Sequence, residues 1–313
     1  MANFTVTENT TIELNVNEAS KSSILTGIGV FLSALNILLS ITASLGNTLI
    51  LVALHKETAL HPPTKLLLQC LTITDLCVGV ITQPLYAVFL LSPVTTGMNW
   101  QLIYYIGKLW TALSFVLCQI SIFTPSAISV DRLLALLSGL RYRQVVTLPR
   151  ARAVITCFWL IGISVGSIYF LNASIAFTVG FALTLFSVIT SVFSYSTIFV
   201  KLRQHRFPVY PLTQGQPKGK AGSLNIVRYK KSVSSAIWVQ VSLIICYVPI
   251  SVVVMLRTSN QTTASQIEIA RHIAITFVYL NSTLNPILYC WRIRSVRKAA
   301  KDMIKQLNCC KSA

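Results

Sequence analysis

The sequence predicts an all-α fold: a seven-transmembrane helix bundle followed by a C-terminal amphipathic surface helix. Three observations carry this expectation. Charged residues make up only 11% of the chain and hydrophobic residues 54%. Soluble domains average about 25% charged residues, so a soluble enzyme and a disordered chain are both excluded. Seven segments stay apolar over the roughly 20 residues that a bilayer crossing requires, and the basic residues fall almost entirely on alternate connections between them. The formal net charge of +18 would point to nucleic acid in a soluble protein. Here it reflects Lys and Arg retained on the cytoplasmic side, and no nucleic-acid partner is expected.

Residues 1–23 show neither a basic start nor an apolar run. They read as an outer tail, and span one (24–54) directs its own insertion. Span two (66–92) carries Asp75. Span three (104–137) is uncharged from 109 to 130 and then meets Asp131-Arg132. The stretch 153–200 holds no charge and is too long for one helix, so it divides near Asn172 into span four (153–171) and span five (175–201). Span six covers 230–256 and span seven 269–291, which makes 24–292 the seven-span domain. Pro208, Pro211, Pro217, Gly215, Gly219 and Gly222 mark the connection between spans five and six as a flexible linker. Residues 293–313 form the amphipathic helix and cytoplasmic tail. There Arg297, Lys298, Lys301 and Lys305 alternate with apolar residues at helical spacing, which suits an anionic lipid surface.

Of the 26 Lys and Arg residues, only Lys21, Lys108, Arg257 and Arg271 fall on the side opposite the rest. This places the N-terminus outside and the C-terminus in the cytoplasm. The glycosylation sequons at Asn3, Asn9 and Asn260 lie on the same outer side, whereas the one at Asn172 sits in a turn too close to the membrane. All eight cysteines lie within spans or on the inner side, so no ectodomain disulfide is available. Cys309 and Cys310 end the surface helix and read either as palmitoylation sites or as unmodified thiols.

Polar groups inside the spans mark function, because burying them in lipid is costly. They stand as Gly46-Asn47 in span one, Leu71 to Asp75 in span two and Asp131-Arg132-Leu133 at the inner end of span three. Trp159 follows in span four, Cys246-Tyr247-Val248-Pro249 in span six and Asn285-Pro286-Ile287-Leu288-Tyr289 in span seven. This ordered set resembles the rhodopsin-like (class A) family of G-protein-coupled receptors over almost the whole chain. Within it, the resemblance is greatest to the branch of adenosine, cannabinoid and melanocortin receptors. The very short outer turn after span four, and Ser187 where most of the family has a proline, carry that finer likeness.

The resemblance implies a plasma-membrane receptor, not an enzyme, that passes an extracellular signal to heterotrimeric G proteins and to arrestin. It implies an inner switch of Asp131, Arg132, Tyr195 and Tyr289, and a pocket wall of Tyr86, Trp110, Ser114, Phe115, Cys118, Tyr247, Ile250, Ser251, Val254, Ile275 and Tyr279. Arg257 and Arg271 stand at the pocket's outer rim, either to capture a ligand carboxylate or phosphate or simply to reach the interface. Several departures narrow the ligand. Ser114 stands where amine receptors carry an aspartate, and Tyr279 where opsins carry the retinal-linking lysine. Leu85 and Thr111 replace the melanocortin acidic cluster, and Val254 replaces the adenosine-binding asparagine. Gly107 replaces the family's span-three cysteine. Tyr229 stands where an acidic residue often pairs with the span-three arginine, which leaves Asp131 as the near partner of Arg132 and implies appreciable basal activity.

Asp75 has no base at its depth. It must be protonated, embedded in a hydrated polar network, or bound to an ion. The resemblance places Ser121, Asn281, Ser282 and Asn285 around it, and their oxygens suit a hard cation such as sodium, bound preferentially in the inactive state. Pro125 lacks an N–H, which frees the carbonyl of Ser121 as a further oxygen. No other cofactor is expected. A seven-span transporter or channel is the alternative, but it would call for more charged residues in the pathway or for duplicated halves. An intramembrane hydrolase is excluded, since His55, His61, His205 and His272 all lie near span ends.

Overall fold

The computed structural model describes residues 2–58, 60–95, 99–204, 219–259, 264–292 and 297. Side chains are described within those segments from Ser23 onward, except at 140, 219–232, 235, 257–259, 264–265 and 292. All regular structure among the described residues is helical. Seven helices are long and apolar enough to cross a membrane: Ser23–Lys56, Pro62–Leu91, Trp100–Ser138, Leu148–Leu171, Ala173–Gln204, Ala236–Leu256 and Gln266–Trp291. Two of them continue beyond the apolar stretch. Span one belongs to a 55-residue helix, Ala2–Lys56, and span six to the helix Gly219–Ser259. Outside the described residues lie Asn260, Cys309, Cys310, residues 205–218 of the expected linker, the side chains of Asn3, Asn9 and Arg257, and the expected tail helix of 293–313 apart from Arg297. Gly219 and Gly222, expected in that flexible linker, instead belong to the helix Gly219–Ser259, where a glycine costs only about 1 kcal/mol.

Local chemistry sets the span ends. Span two begins on Pro62-Pro63, where a missing N–H costs nothing. Asn99 caps span three, its Oδ1 accepting the Gln101 N–H at 2.9 Å. Span three ends at Gly139, whose φ of 48° lies in the left-handed region where a side chain is strained. Asn172 adopts an extended conformation between spans four and five, and its Oδ1 accepts the Ile175 N–H at 3.1 Å. Within span two, Val78–Thr82 forms a π-turn, with the Gln83 N–H reaching the carbonyl of Val78. The extra residue re-aims the outer third, Gln83–Leu91, relative to Asp75.

Apolar and polar surfaces are inverted relative to a soluble protein. Phe31, Leu38, Phe186, Phe193 and Ile245 are more than half exposed, whereas Ser33, Asn36, Ser40, Asn47 and Asp75 are buried. Lipid tolerates the first arrangement and forbids the converse. One face of span one carries a polar ladder. Ser33 donates to the Ala87 carbonyl, Asn36 to Thr276 Oγ1 at 2.9 Å, Ser40 to the Gly79 carbonyl at 2.6 Å and Asn47 to the Ser282 carbonyl at 3.0 Å. These residues share a helical face, so span one is tied to spans two and seven by side chain. Span three meets span four at Gly162 and Gly166. A Cβ on Gly166 would lie 2.7 Å from Val116 Cγ2 and 3.1 Å from the Ala112 carbonyl.

Candidate functional site: a buried carboxylate between two aromatic and ionic ends

Asp75 is fully buried. Its Oδ1 accepts from Ser282 Oγ at 2.8 Å and from Ser121 Oγ at 3.4 Å, and its Oδ2 accepts from Asn285 Nδ2 at 2.7 Å. Asn47 Nδ2 donates to the carbonyls of Ala43 and Ser282 beside it. Among the described residues no Lys or Arg pairs with Asp75. The side-chain oxygens of Asn47, Asn281 and Asn285 are buried and receive no hydrogen bond there. A carboxylate with buried, donor-free amide oxygens is an oxygen-rich set that fits a hard monovalent cation or ordered water. Ser282 and Asn285 from span seven and Ser121 from span three therefore meet on Asp75, whereas the buried Asn281 Oδ1 accepts no hydrogen bond among the described residues.

At the inner end, Asp131 is held from three sides. Arg132 Nη2 lies 3.0 Å from its Oδ2, Thr64 Oγ1 donates to the same oxygen at 2.9 Å, and the Tyr142 hydroxyl donates to Oδ1 at 2.6 Å. Tyr142 lies in the inner connection Tyr142–Val145. Burial, and its bond to the Asp131 carboxylate, push its hydroxyl up to about 12. His61 packs on the Tyr142 ring at 4.9 Å between centroids, and burial lowers its basicity despite the pull of Asp131. Sequence reasoning missed Thr64 and Tyr142. Tyr195 and Tyr289 sit in separate apolar clusters, Tyr195 against Leu133, Ile198 and Val233, Tyr289 against Leu54, Leu71, Ile128 and Val239.

The outer residues form two layers. In the upper layer Tyr86 stacks on Trp110 at 4.7 Å and meets Tyr279 edge-on at 5.6 Å. Trp110 Nε1 donates to the Tyr279 hydroxyl at 2.5 Å, and Ser114 Oγ lies 2.7 Å from the same oxygen. Ile275 packs against this cluster. In the lower layer Cys118 and Ile250 pack on Ile122, Leu243, Cys246 and Tyr247. Ser251 returns its hydroxyl to the Tyr247 carbonyl, Val254 is half-buried, and Phe115 turns toward Phe177 and Tyr169. Arg271 is gripped by Glu268 through two nitrogens, and His272 Nε2 lies 3.2 Å from the same carboxylate. His272 Nδ1 is 2.9 Å from the Tyr86 hydroxyl. An anionic ligand reaching Arg271 therefore has to compete with Glu268, which the sequence reading did not pair with it.

The sequence matches the 7 transmembrane receptor (rhodopsin family) over residues 46–175 and 169–289, and the chain belongs to that family. It is similar to the bovine adenosine receptor A2b, with 32% identity over 139 residues, 44% of this chain and 40% of that receptor. It is also similar to melanocortin receptor 5 of Rattus norvegicus, with 22% identity over 305 residues, 95% of this chain and 90% of that receptor. Melanocortin receptor 4 of Danio rerio is 24% identical over 85% of this chain. The adenosine match spans 40% of that receptor's length, and the two melanocortin matches span 90% and 81% of theirs. The chain is thus a multi-pass membrane protein of the class A receptor family, near the adenosine and melanocortin branch, and its relatives are receptors rather than enzymes.

Proposed function

We propose that this chain is a plasma-membrane receptor, with its N-terminus outside, that transmits binding of an extracellular ligand to heterotrimeric G proteins and then to arrestin. The observation that carries this reading is the grip of Asp131 on Arg132 at the inner end of span three. Releasing that guanidinium presents five donors to a docking helix. Outward motion of span six would open the groove for it, with Tyr195 and Tyr289 on its walls. The ligand enters the aromatic outer layer of Tyr86, Trp110, Ser114 and Tyr279. Meeting Ser114 where amine receptors carry an aspartate, and Tyr279 where opsins carry a lysine, it is neither an amine nor a retinal Schiff base.

Asp75 is the middle of this path. Its carboxylate, with Ser121, Asn281, Ser282 and Asn285, supplies the oxygens that would hold sodium, and the ion when bound would supply the balancing positive charge. Ser282 and Asn285 keep the carboxylate fixed between spans two and seven. The experiment is a screen of ligand libraries against transfected cells carrying sensors for each G-protein class. A ligand that activates the receptor and not mock cells supports the reading. A receptor that is abundant at the surface, and silent in every class both with and without ligands, contradicts it.

A further inference from the structure

A groove of about 380 Å³ opens at the inner ends of spans three, four and five. Phe123, Val154, Phe158 and Phe186 line its length, and Val145 and Arg150 stand at its mouth. Val154 and Phe186 are 40% and 67% exposed, so the groove opens sideways toward lipid. Arg150 Nη1 donates to the carbonyls of Val145 at 2.6 Å and Gln144 at 3.4 Å. Those bonds use one nitrogen of the guanidinium. Arg143 and Arg152, near it in sequence, are exposed.

We infer that this groove binds one acyl chain of an anionic phospholipid, with the headgroup held by Arg150. An apolar channel that opens to the bilayer and carries Arg150 at its mouth matches a lipid whose chain is apolar and whose headgroup is negative. It matches a zwitterionic lipid less well, because that headgroup's own cation offsets the attraction of its phosphate to Arg150. The site has a consequence for the inner switch. Asp131 itself lines the groove, and Val145 belongs to the same turn as Tyr142, whose hydroxyl holds Asp131. A chain seated there packs that turn against span three. The inference rests on the membrane placement of the chain given above but not on G-protein coupling.

The test uses the full chain in nanodiscs without any G protein. Phosphatidylserine with a photoreactive diazirine on one acyl chain is compared with phosphatidylcholine bearing the same chain, and labelled peptides are mapped by mass spectrometry. Nanodiscs offer both lipids to both faces, so an error in the assigned sidedness does not alter the result. One basic contact near the surface gives about a five-fold preference for phosphatidylserine on the peptides around Val154 and Phe158. Val154→Trp, which fills the groove from an exposed position, removes that label, and Arg150→Gln brings the two lipids level. Should Val154→Trp lower the melting temperature, Phe186→Trp serves as the second filler. Equal labelling by both lipids overturns the inference. So does labelling of Phe31 and Leu38 as strong as that of the groove, or label that survives the fillers.

Discussion

The Tyr142 hydroxyl donates to Asp131 Oδ1 at 2.6 Å while Thr64 Oγ1 donates to Oδ2 at 2.9 Å, so both oxygens of the carboxylate that holds Arg132 are themselves held. The clasp is firmer than an isolated Asp131–Arg132 pair, because Asp131 is buried and cannot swing away without losing two bonds. Tyr142→Phe and Thr64→Ala should therefore each raise ligand-free signalling. A hydrogen bond to a charged group contributes about 1.5–3 kcal/mol, enough to shift a two-state switch roughly ten-fold or more. Basal G-protein activation at matched surface level checks this, and signalling equal to the parent in both variants removes the clasp. The Tyr142 bond is fully present below the tyrosine's ordinary range and is lost only as pH rises toward about 12. Changes in pH across the neutral range should not mimic Tyr142→Phe.

Spans three and four touch through Gly162 and Gly166. A side chain on Gly166 meets the Ala112 carbonyl, a backbone atom that cannot rotate away. Gly166→Val should cost about 1–3 kcal/mol through overpacking and lower surface expression. Gly27→Ala, with nothing within 4 Å of its added methyl, should be neutral or slightly stabilising. Flow cytometry and thermal melts of the two variants compare them, and equal behaviour would show that the contact gives freely.

The outer end of span three is fixed by rings in place of a disulfide. Phe89 lies over Gly107, where a Cβ would come within 3.0 Å of its ring, and stacks on Trp110 at 5.4 Å. Trp110→Ala should cost about 3–5 kcal/mol and deplete folded receptor. Dithiothreitol should leave the melting temperature unchanged, since the described cysteines Cys70, Cys77, Cys118, Cys157, Cys246 and Cys290 are all free thiols. A large loss of stability in reductant contradicts this account.

Replacing sodium with N-methylglucamine should lower the melting temperature of the purified receptor. Occupancy near ten-fold above the dissociation constant contributes about 1.4 kcal/mol, or about 2–4 °C. Asp75→Asn should show no such difference. The same cation response in parent and variant would leave Asp75 as a structural polar group.

Much of this geometry can be read from residue order. Asp75 and Asn285 lie on two recognisable motifs, Ser282 stands three residues before the second, and the three side chains meet. Glu268, Arg271 and His272 stand at the i, i+3 and i+4 spacing of one helix face, so that cluster was open to the same reading; Thr64 and Tyr142 were not. Short polar side chains in apolar helices mostly bond their own carbonyls, as Thr42 does to Leu38 and Ser164 to Leu160. Ser40, which instead crosses to span two, looks no different in sequence. The lipid-facing and buried sides of each span are both apolar, so hydropathy gives no period that would separate them. Tyr142 is hidden for another reason: its partner is set by how the inner connection folds back, and no spacing rule covers that.

The account turns on Arg132. With an agonist from the screen, or with basal signal where it is measurable, G-protein activation by Arg132→Ala should fall to the level of mock cells while surface expression and melting temperature stay near those of the parent. Activation retained at matched surface level would contradict it, and Arg132 would then be no part of the coupling machinery.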